Sequence, residues 1–499
     1  MTAAASAQAQ APQAGPGDAD TAAWWRATAA LSGDAMEGRD TGSPGYDRAA
    51  RLLAARFAAA GLVPGGENGG WFQRLQFDDL AVDGRRTSLR IGTARLRFLH
   101  DYTLRPSSGM PRALDVRVAF RGYCAADALG DVRGKLVLCH GWRRAGLTTA
   151  AQRLAAVTAA GAAGMITIAD PGFTVEPMRW PVAYARSVTP LGAAPPGGDR
   201  LLVATLNPEA LARVLAGSGR DAAVLLRAGS AGAVLPSFDL PVKASARATV
   251  SRRRIESANV LGVLPGRDPA LRREHVVLSA HLDGYGRGEA VKRDGLYNGT
   301  LDDAAYVALL QRLAERRHGE GYRRSVIFAA FTGEEKGLLG ANAFVAAPPV
   351  GRGSIVANIN LDQLRPIFPL DLMTVHALDD TTLGDAVRAS AAALSIRVQR
   401  DPEPERNLLR RADHWPFLEA GIPATGFVFG YRQGTESERR YRQWYETRYH
   451  KPQDDLGQPM DWPSAAKFNA FFYALVANVA DADRAPTWKP GSSLKPKPR

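Results

Sequence analysis

Two glutamates stand side by side, Glu334 and Glu335, where the apolar run "SVIFAAF" breaks at a glycine. Adjacent carboxylates at the mouth of a core strand repel each other, and desolvating either is costly unless something positive sits between them. Other run ends deliver groups of the same kind. "HVVLSA" leads into His281-Leu282-Asp283, "NINLDQ" delivers Asp362, Asp302-Asp303 opens a helical pattern, and "RYHKPQDD" places Tyr449 and His450 in a turn. Side chains two apart on an extended segment point the same way, so Asp283 can orient the His281 imidazole. Taken singly, each has an ordinary reading: a satisfied histidine, a helix cap, a loop-capping aspartate. Those readings do not predict that the acids gather at one pole.

Three carboxylates and two imidazoles suit a pair of Zn²⁺ ions that share one carboxylate and one water or hydroxide. Two dications against three carboxylates and a hydroxide sum to zero, which removes the charge that makes the glutamate pair costly. One glutamate can then ligate while its neighbour takes a proton from water, whose pKa a metal can lower from 15.7 to about 7.

The elements that must position these groups are legible as apolar patterns. From residue 275 onward, strand-like runs ("HVVLSA", "SVIFAAF", "IVANINL", "LMTVHA", "ATGFVFG") alternate with helical ones ("DDAAYVALLQRLAERR", "TLGDAVRASAAAL", "SAAKFNAFFYALVANVA"). Such alternation predicts an α/β fold, a three-layer sandwich with a mostly parallel sheet, in which ligands bind beyond the carboxyl ends of the strands. "TAAWWRATAALSG" and "GYDRAARLLAARFAAAGL" predict two N-terminal helices. A second α/β unit, with "RGKLVLCHG", "AAQRLAAVTAAGAAG" and "MITIA", interrupts the scaffold. The expected organisation is a flexible leader or signal remnant over 1–20, a discontinuous main domain over 21–95 and 246–485, an insert over 96–245, and a flexible tail over 486–499.

At 499 residues, 45% hydrophobic and 23% charged, the chain has the make-up of a globular protein of two or three domains. No stretch approaches the roughly 18 to 20 apolar residues of a membrane span. A net charge of +13 raises the question of nucleic acid, but the arginines are scattered and no basic block is interleaved with aromatics, so no nucleic-acid partner is expected. "ASAQAQA" resembles the small-residue region of a secretory signal without the basic and apolar segments that should precede it, and export to a periplasm or medium is the expectation. Cys124 and Cys139 could form a disulfide or serve as small apolar side chains.

The stretches "LSAHLDGYG", "YNGTLDDAAYVALL", "IFAAFTGEEKGLLGA", "VANINLDQ", "RADHWPFLEAGIPA" and "YHKPQDD" occur in an order that resembles the co-catalytic zinc exopeptidases of the bacterial leucyl aminopeptidase and glutamate carboxypeptidase type. The early "LSGDAMEGRDTGSPGYDRAARLLAARFAAAGL" looks like the N-terminal region of the bacterial members, and the insert resembles a protease-associated domain. The resemblance implies a peptide substrate and two Zn²⁺ per chain, with Co or Mn as substitutes. His281 and Asp362 would hold one zinc, Glu335 and His450 the other, and Asp302 would bridge. Glu334 would be the general base, Asp283 the orienting partner of His281, and Tyr449 a hydrogen-bond donor to the oxyanion. Asp413-His414 matches a recurrent stretch that lines the pocket or serves the structure. The chain departs from its relatives at Asp303, Tyr306, Gln363 and Gly284, none of them an implied ligand. An aminopeptidase is the main expectation. A carboxypeptidase, for which Arg406, Arg410, Arg411 and Arg448 are nearby cations, is the alternative, followed by a glutaminyl cyclase or a receptor-like binding module.

Overall fold

The computed structural model describes residues 15–142, 144–194 and 198–496. Much of the expected leader therefore lies outside the described residues. Asp18 accepts the backbone N–H of Thr21 and starts the helix Ala19–Ser32; Ser43 does the same for Tyr46 and, with Pro44 in the first turn, starts Pro44–Ala59. Both N-terminal helices are thus where the sequence predicts them.

The main sheet has seven strands in line: Ala424–Thr425, Ile355–Asn360, His275–His281, Ser325–Phe331, Val250–Leu264, Phe72–Val82 and Arg186–Pro190, with Val63–Pro64 paired to Val250–Leu264. It is a mixed sheet, which corrects the expectation of a mostly parallel one. The first four strands run parallel, whereas Val250–Leu264 is antiparallel to both neighbours and Arg186–Pro190 is antiparallel to Phe72–Val82. Helical crossovers enforce the parallel order, while the long arms Phe72–Val82 and Val250–Leu264 bracket the second unit and pair as a ribbon. Their alternating residues carry no signal of strand direction.

Helices cover both faces of this sheet. Val276, Leu278, Ala280, Val326 and Phe328 pack with the helices Pro44–Ala59, Ala305–Arg317 and Trp462–Ala480, while Val277, Ile327, Ala329 and Phe331 face Leu339–Ala346 and His414–Glu419. Successive strand residues point to opposite faces, so near-continuous apolar runs are what a doubly covered strand requires. Residues from about 486, expected to be loose, are docked as far as they are described: Trp488 pairs with Thr381 and its indole donates to the Gly421 carbonyl, and Lys489 lies 2.6 Å from Asp385.

The second unit is an eight-stranded sheet with its own apolar core. It starts at Ser88–Ile91, and one stretch of the region between 96 and 245, Arg186–Pro190, belongs to the main sheet instead. Cys124 and Cys139 are joined by a disulfide, their Cα atoms 5.6 Å apart, inside a small cluster with Val137, Val157 and Met165.

A buried histidine pair ties two further elements together. His376 follows the strand Leu372–Val375, His414 opens the helix His414–Glu419, and their Nδ1 and Nε2 atoms lie 3.1 Å apart. Burial, aided by the Arg406 charge, pushes His376 down to about 4 from an ordinary value of 6.5.

Two predictions follow from these features. Replacing both cysteines by alanine should lower the unfolding free energy by about 3 kcal/mol, the value for closing a loop of this length; an unchanged denaturant midpoint would mean the thiols are not joined. Because the unfolded chain binds a proton at His376 that the folded chain refuses, stability should be complete above pH 6.5 and fall as pH drops toward 4, by on the order of 3 kcal/mol from this group. Denaturant titrations at fixed pH should show a shallower decline in His376→Gln, and equal slopes would contradict the assignment.

Candidate metal centre

The parallel register builds the site. His281 pairs with Phe331 and Ser279 with Asn360, so the residues just past each strand end, His281, Glu334 and Asp362, arrive at one edge. The Leu282 N–H continues the ladder to the Phe331 carbonyl and the Leu361 N–H to the Ser279 carbonyl. Asp302 and Asp303 enter from a wide turn, Thr300–Ala304, that precedes the helix Ala305–Arg317. Neither acid caps that helix, which has no side-chain cap at all, and the peptide bond between them is cis.

The sequence-predicted residues come together. One donor atom from each of His281, Asp302 and Asp362 lies within 4.8 Å of the others, and the same holds for Asp302, Glu335 and His450 and for His281, Glu334 and Glu335. Asp302 sits in the middle: its Oδ1 is 3.5 Å from His281 Nε2 and its Oδ2 is 3.3 Å from His450 Nε2, which in turn is 3.4 Å from Glu335 Oε1. Asp302 Oδ2 and Asp362 Oδ2 are buried without a hydrogen-bond partner among the described residues. Orphaned carboxylate oxygens facing imidazole Nε2 atoms are the donor set a divalent metal takes, so the residues fit zinc.

Both imidazoles are fixed from behind. His281 Nδ1–H donates to the Asp283 carbonyl oxygen at 3.0 Å, with the Asp283 carboxylate farther off at 3.8 Å. That carboxylate accepts instead from the Glu334 N–H at 3.0 Å and from Thr41 Oγ1 at 3.1 Å, so it anchors the glutamate loop as well as the histidine segment. His450 Nδ1 shares a hydrogen bond with Tyr285 Oη at 2.9 Å, and Nε2 is turned toward the acids. Tyr449 is buried and stacks on His450 with ring centroids 3.7 Å apart.

The electrostatics follow from crowding. Burial, and then the carboxylates of Asp362, Glu335 and Asp413, push Glu334 well above the usual carboxylate range despite His281. Burial and neighbouring acids likewise raise Asp362, Asp303 and Asp413. Asp302 goes the other way: burial opposes it, but Arg365 and the two imidazoles hold it well below the usual range.

Sequence reasoning missed several participants. Arg365 is fully buried with Nη2 3.3 Å from Asp302 Oδ1; its position three residues past Asp362 was the available signal. Tyr285, two residues past Asp283, could have been found by the same alternation that finds Asp283. Arg179 belongs to the region between 96 and 245 and lies over the Tyr449 ring at 4.2 Å, a long-range contact with no local signature. The arginines considered as carboxylate binders are engaged: Arg406 and Arg411 with Glu176, Arg410 over Trp415, and Arg448 with the Gln453 carbonyl. A cavity of about 750 Å³ reaches from Glu335, Lys336 and His450 to Trp142 and Asp170 of the second unit.

Among curated proteins, the chain is similar to a "Probable zinc metalloprotease" of Pyrenophora teres f. teres (strain 0-1), 29% identical over 199 residues that cover 38% of this chain and 42% of that protein. It is also similar to "Leupeptin-inactivating enzyme 1" of Streptomyces exfoliatus, 24% identical over 225 residues, 44% of this chain and 47% of that protein. The matches thus span about half or less of the length of these relatives. Among solved structures, an aminopeptidase from Aneurinibacillus sp. strain AM-1 superposes with a TM-score of 0.63 at 17% identity over 96% of both chains. A zinc aminopeptidase from Bacillus subtilis gives 0.61 at 17% identity over 93% of this chain and 95% of that one. At these identities the likeness is one of fold, and its coverage extends through the second sheet. Residues 259–476, which carry every implied ligand from His281 to His450, match the model of Peptidase family M28, and the chain carries a domain of that family.

Proposed function

We propose that the protein is a zinc-dependent exopeptidase that uses two metal ions to release N-terminal residues from peptides. The observation that carries this reading is the placement of Asp302, whose two carboxylate oxygens face two different imidazoles. His281 and Asp362 would hold one ion, Glu335 and His450 the other, and Asp302 would be shared. Bound there, zinc supplies a Lewis acid for the scissile carbonyl and lowers the pKa of water.

The chain's own residues do the rest. Glu334 takes a proton from the attacking water as its oxygen bonds to the carbonyl carbon. It then delivers that proton to the amide nitrogen as the C–N bond breaks, so a free amine leaves and a carboxylic acid remains, which ionises by releasing the second proton of the water. Tyr449, packed against both the His450 ring and the Arg179 guanidinium, donates its hydroxyl to the developing oxyanion. Asp283 keeps Glu334 and His281 in fixed relation through the Glu334 N–H and the His281 Nδ1–H. The second unit, which we read as a protease-associated domain, walls the cavity above these groups. The disulfide supports a periplasmic or secreted location. A carboxypeptidase is the second reading, because Arg179 lines the cavity and pairs with no carboxylate among the described residues.

Two experiments check this. Dialysed protein should hold two zinc ions per chain and hydrolyse a free-amine leucyl amide, losing activity to a chelator and regaining it with zinc; activity only on the N-acetylated peptide would select the carboxypeptidase. Glu334→Ala should lower kcat by at least about 10³-fold with zinc still bound, the range seen when a general base is removed; loss of zinc would make Glu334 a ligand instead.

A further inference from the structure

The motif "EGRDTG" near the N-terminus has no place in the chemistry above, yet three of its consecutive residues each reach a different segment of the metal centre. Arg39 is fully buried and makes no ion pair among the described residues. Its guanidinium donates instead to carbonyls: Nε to Leu282 at 2.8 Å, Nη1 to Leu31 at 3.0 Å and Asn298 at 2.7 Å, and Nη2 to Gly299 at 2.8 Å. Leu282 lies between His281 and Asp283, and Gly299 opens the turn that presents Asp302. Asp40 pairs with Lys336, next to Glu335, at 3.1 Å, and also with Arg186. Thr41 Oγ1 donates to the Asp283 carboxylate, whose other oxygen takes the Glu334 N–H.

Backbone conformation marks the same stretch. Glu37, Gly38 and Arg39 are three successive residues in the left-handed region, at φ 48°, 67° and 51°. A Cβ on Gly38 would lie 2.3 Å from the Tyr297 carbonyl oxygen. Conformations of this kind cost energy and persist only where the surroundings over-determine them. A buried cation without a carboxylate is costly as well, since desolvation pulls Arg39 down to about 10. A planar fork that satisfies four carbonyls from three separate segments explains why an arginine stands there and not a lysine, whose ammonium is a point.

We propose that Arg39–Thr41 is a positioning strap for the metal centre, with Arg39 locking the His281–Asp283 and Gly299–Asp302 segments against each other and Thr41 setting the Asp283 carboxylate. This rests on the zinc peptidase reading. Neither residue touches substrate or metal; both act through the backbone and through Asp283.

The test uses the full chain with Arg39→Lys and Thr41→Val. Zinc affinity is read by chelator competition, ligand geometry by the visible spectrum of the Co²⁺-loaded protein, and turnover as kcat and KM separately. Arg39→Lys should weaken zinc binding by about 10- to 100-fold, as loss of an orienting partner typically does. It should also alter the Co²⁺ spectrum and lower kcat with KM within about twofold. Thr41→Val should shift the same readouts in the same direction by less. Wild-type affinity, spectrum and kcat in both variants, with only a lower melting temperature, would overturn the strap; should Arg39→Lys fail to fold, unchanged values in Thr41→Val overturn it alone. A wild-type chain that binds no zinc and cleaves no peptide would instead overturn the peptidase reading itself.

Discussion

Seven carboxylates, those of Asp283, Asp302, Asp303, Glu334, Glu335, Asp362 and Asp413, gather at one edge of the main sheet, and all are wholly or largely removed from water. Like charges at such distances in a poorly solvated site cannot all be ionised without compensation. The rest of the local structure can be understood as the means of tolerating that congestion. Arg365 sits against Asp302, Lys336 faces the Asp40 and Asp283 side, and two imidazoles stand between the acids. These groups relieve some members and leave one oxygen each of Asp302 and Asp362 without a hydrogen-bond partner among the described residues. Asp302 and Asp362 both belong to the donor set around His281, where a dication brings the most compensation.

Compensation alone would allow the acids to rearrange, and the backbone prevents this. Each ligand segment is an extension of a paired strand or is tied to one: His281 and Asp362 follow ladder positions, and the His281 N–H donates to Asp303. The one imidazole outside the sheet, His450, adopts a left-handed conformation at φ 54° and is held between Tyr285 and Tyr449. Ligands from strand ends are rigid because the strands are buried on both faces, whereas the turn residue needs an aromatic clamp to reach comparable order.

Sequence reading reached the groups that the fold gathers at the candidate centre because each sits at a break between an apolar run and a turn, where residue type is unusual. Glu334-Glu335 is legible for that reason, as are His281-Leu282-Asp283 and Asp362. It did not reach Arg39, Arg179 or Arg365, since a buried arginine bonded to carbonyls or aromatic faces has the same letter as a solvated one. Strand direction was lost on similar grounds. Val250–Leu264 and His275–His281 are both apolar runs, yet one is antiparallel and the other parallel to Ser325–Phe331, and only the long excursion between the arms distinguishes them. Asp283 is expected to face His281 through its side chain; in the structure its carbonyl accepts from the imidazole, and its carboxylate accepts from Glu334 N–H and Thr41.

The region between residues 96 and 245 is joined to the centre by groups that leave little room for rocking. Arg186 is 5% exposed at its side chain and pairs with Asp79, which is fully buried, and with Asp40 of the strap. Tyr184 accepts from Lys336, beside Glu335, and Glu176 is buried between Arg406 and Arg411. Buried pairs of this sort contribute little net stability, since desolvation offsets most of the attraction, but separating one strands a charge at a cost of about 3–5 kcal/mol. Their effect is therefore on geometry. A wall carrying Arg179 and Tyr184 that cannot swing away from His450 and Glu335 fixes the shape of the cavity over the metal centre. Under the proposed exopeptidase reading, access for a peptide would be decided by how one end of it threads that fixed space.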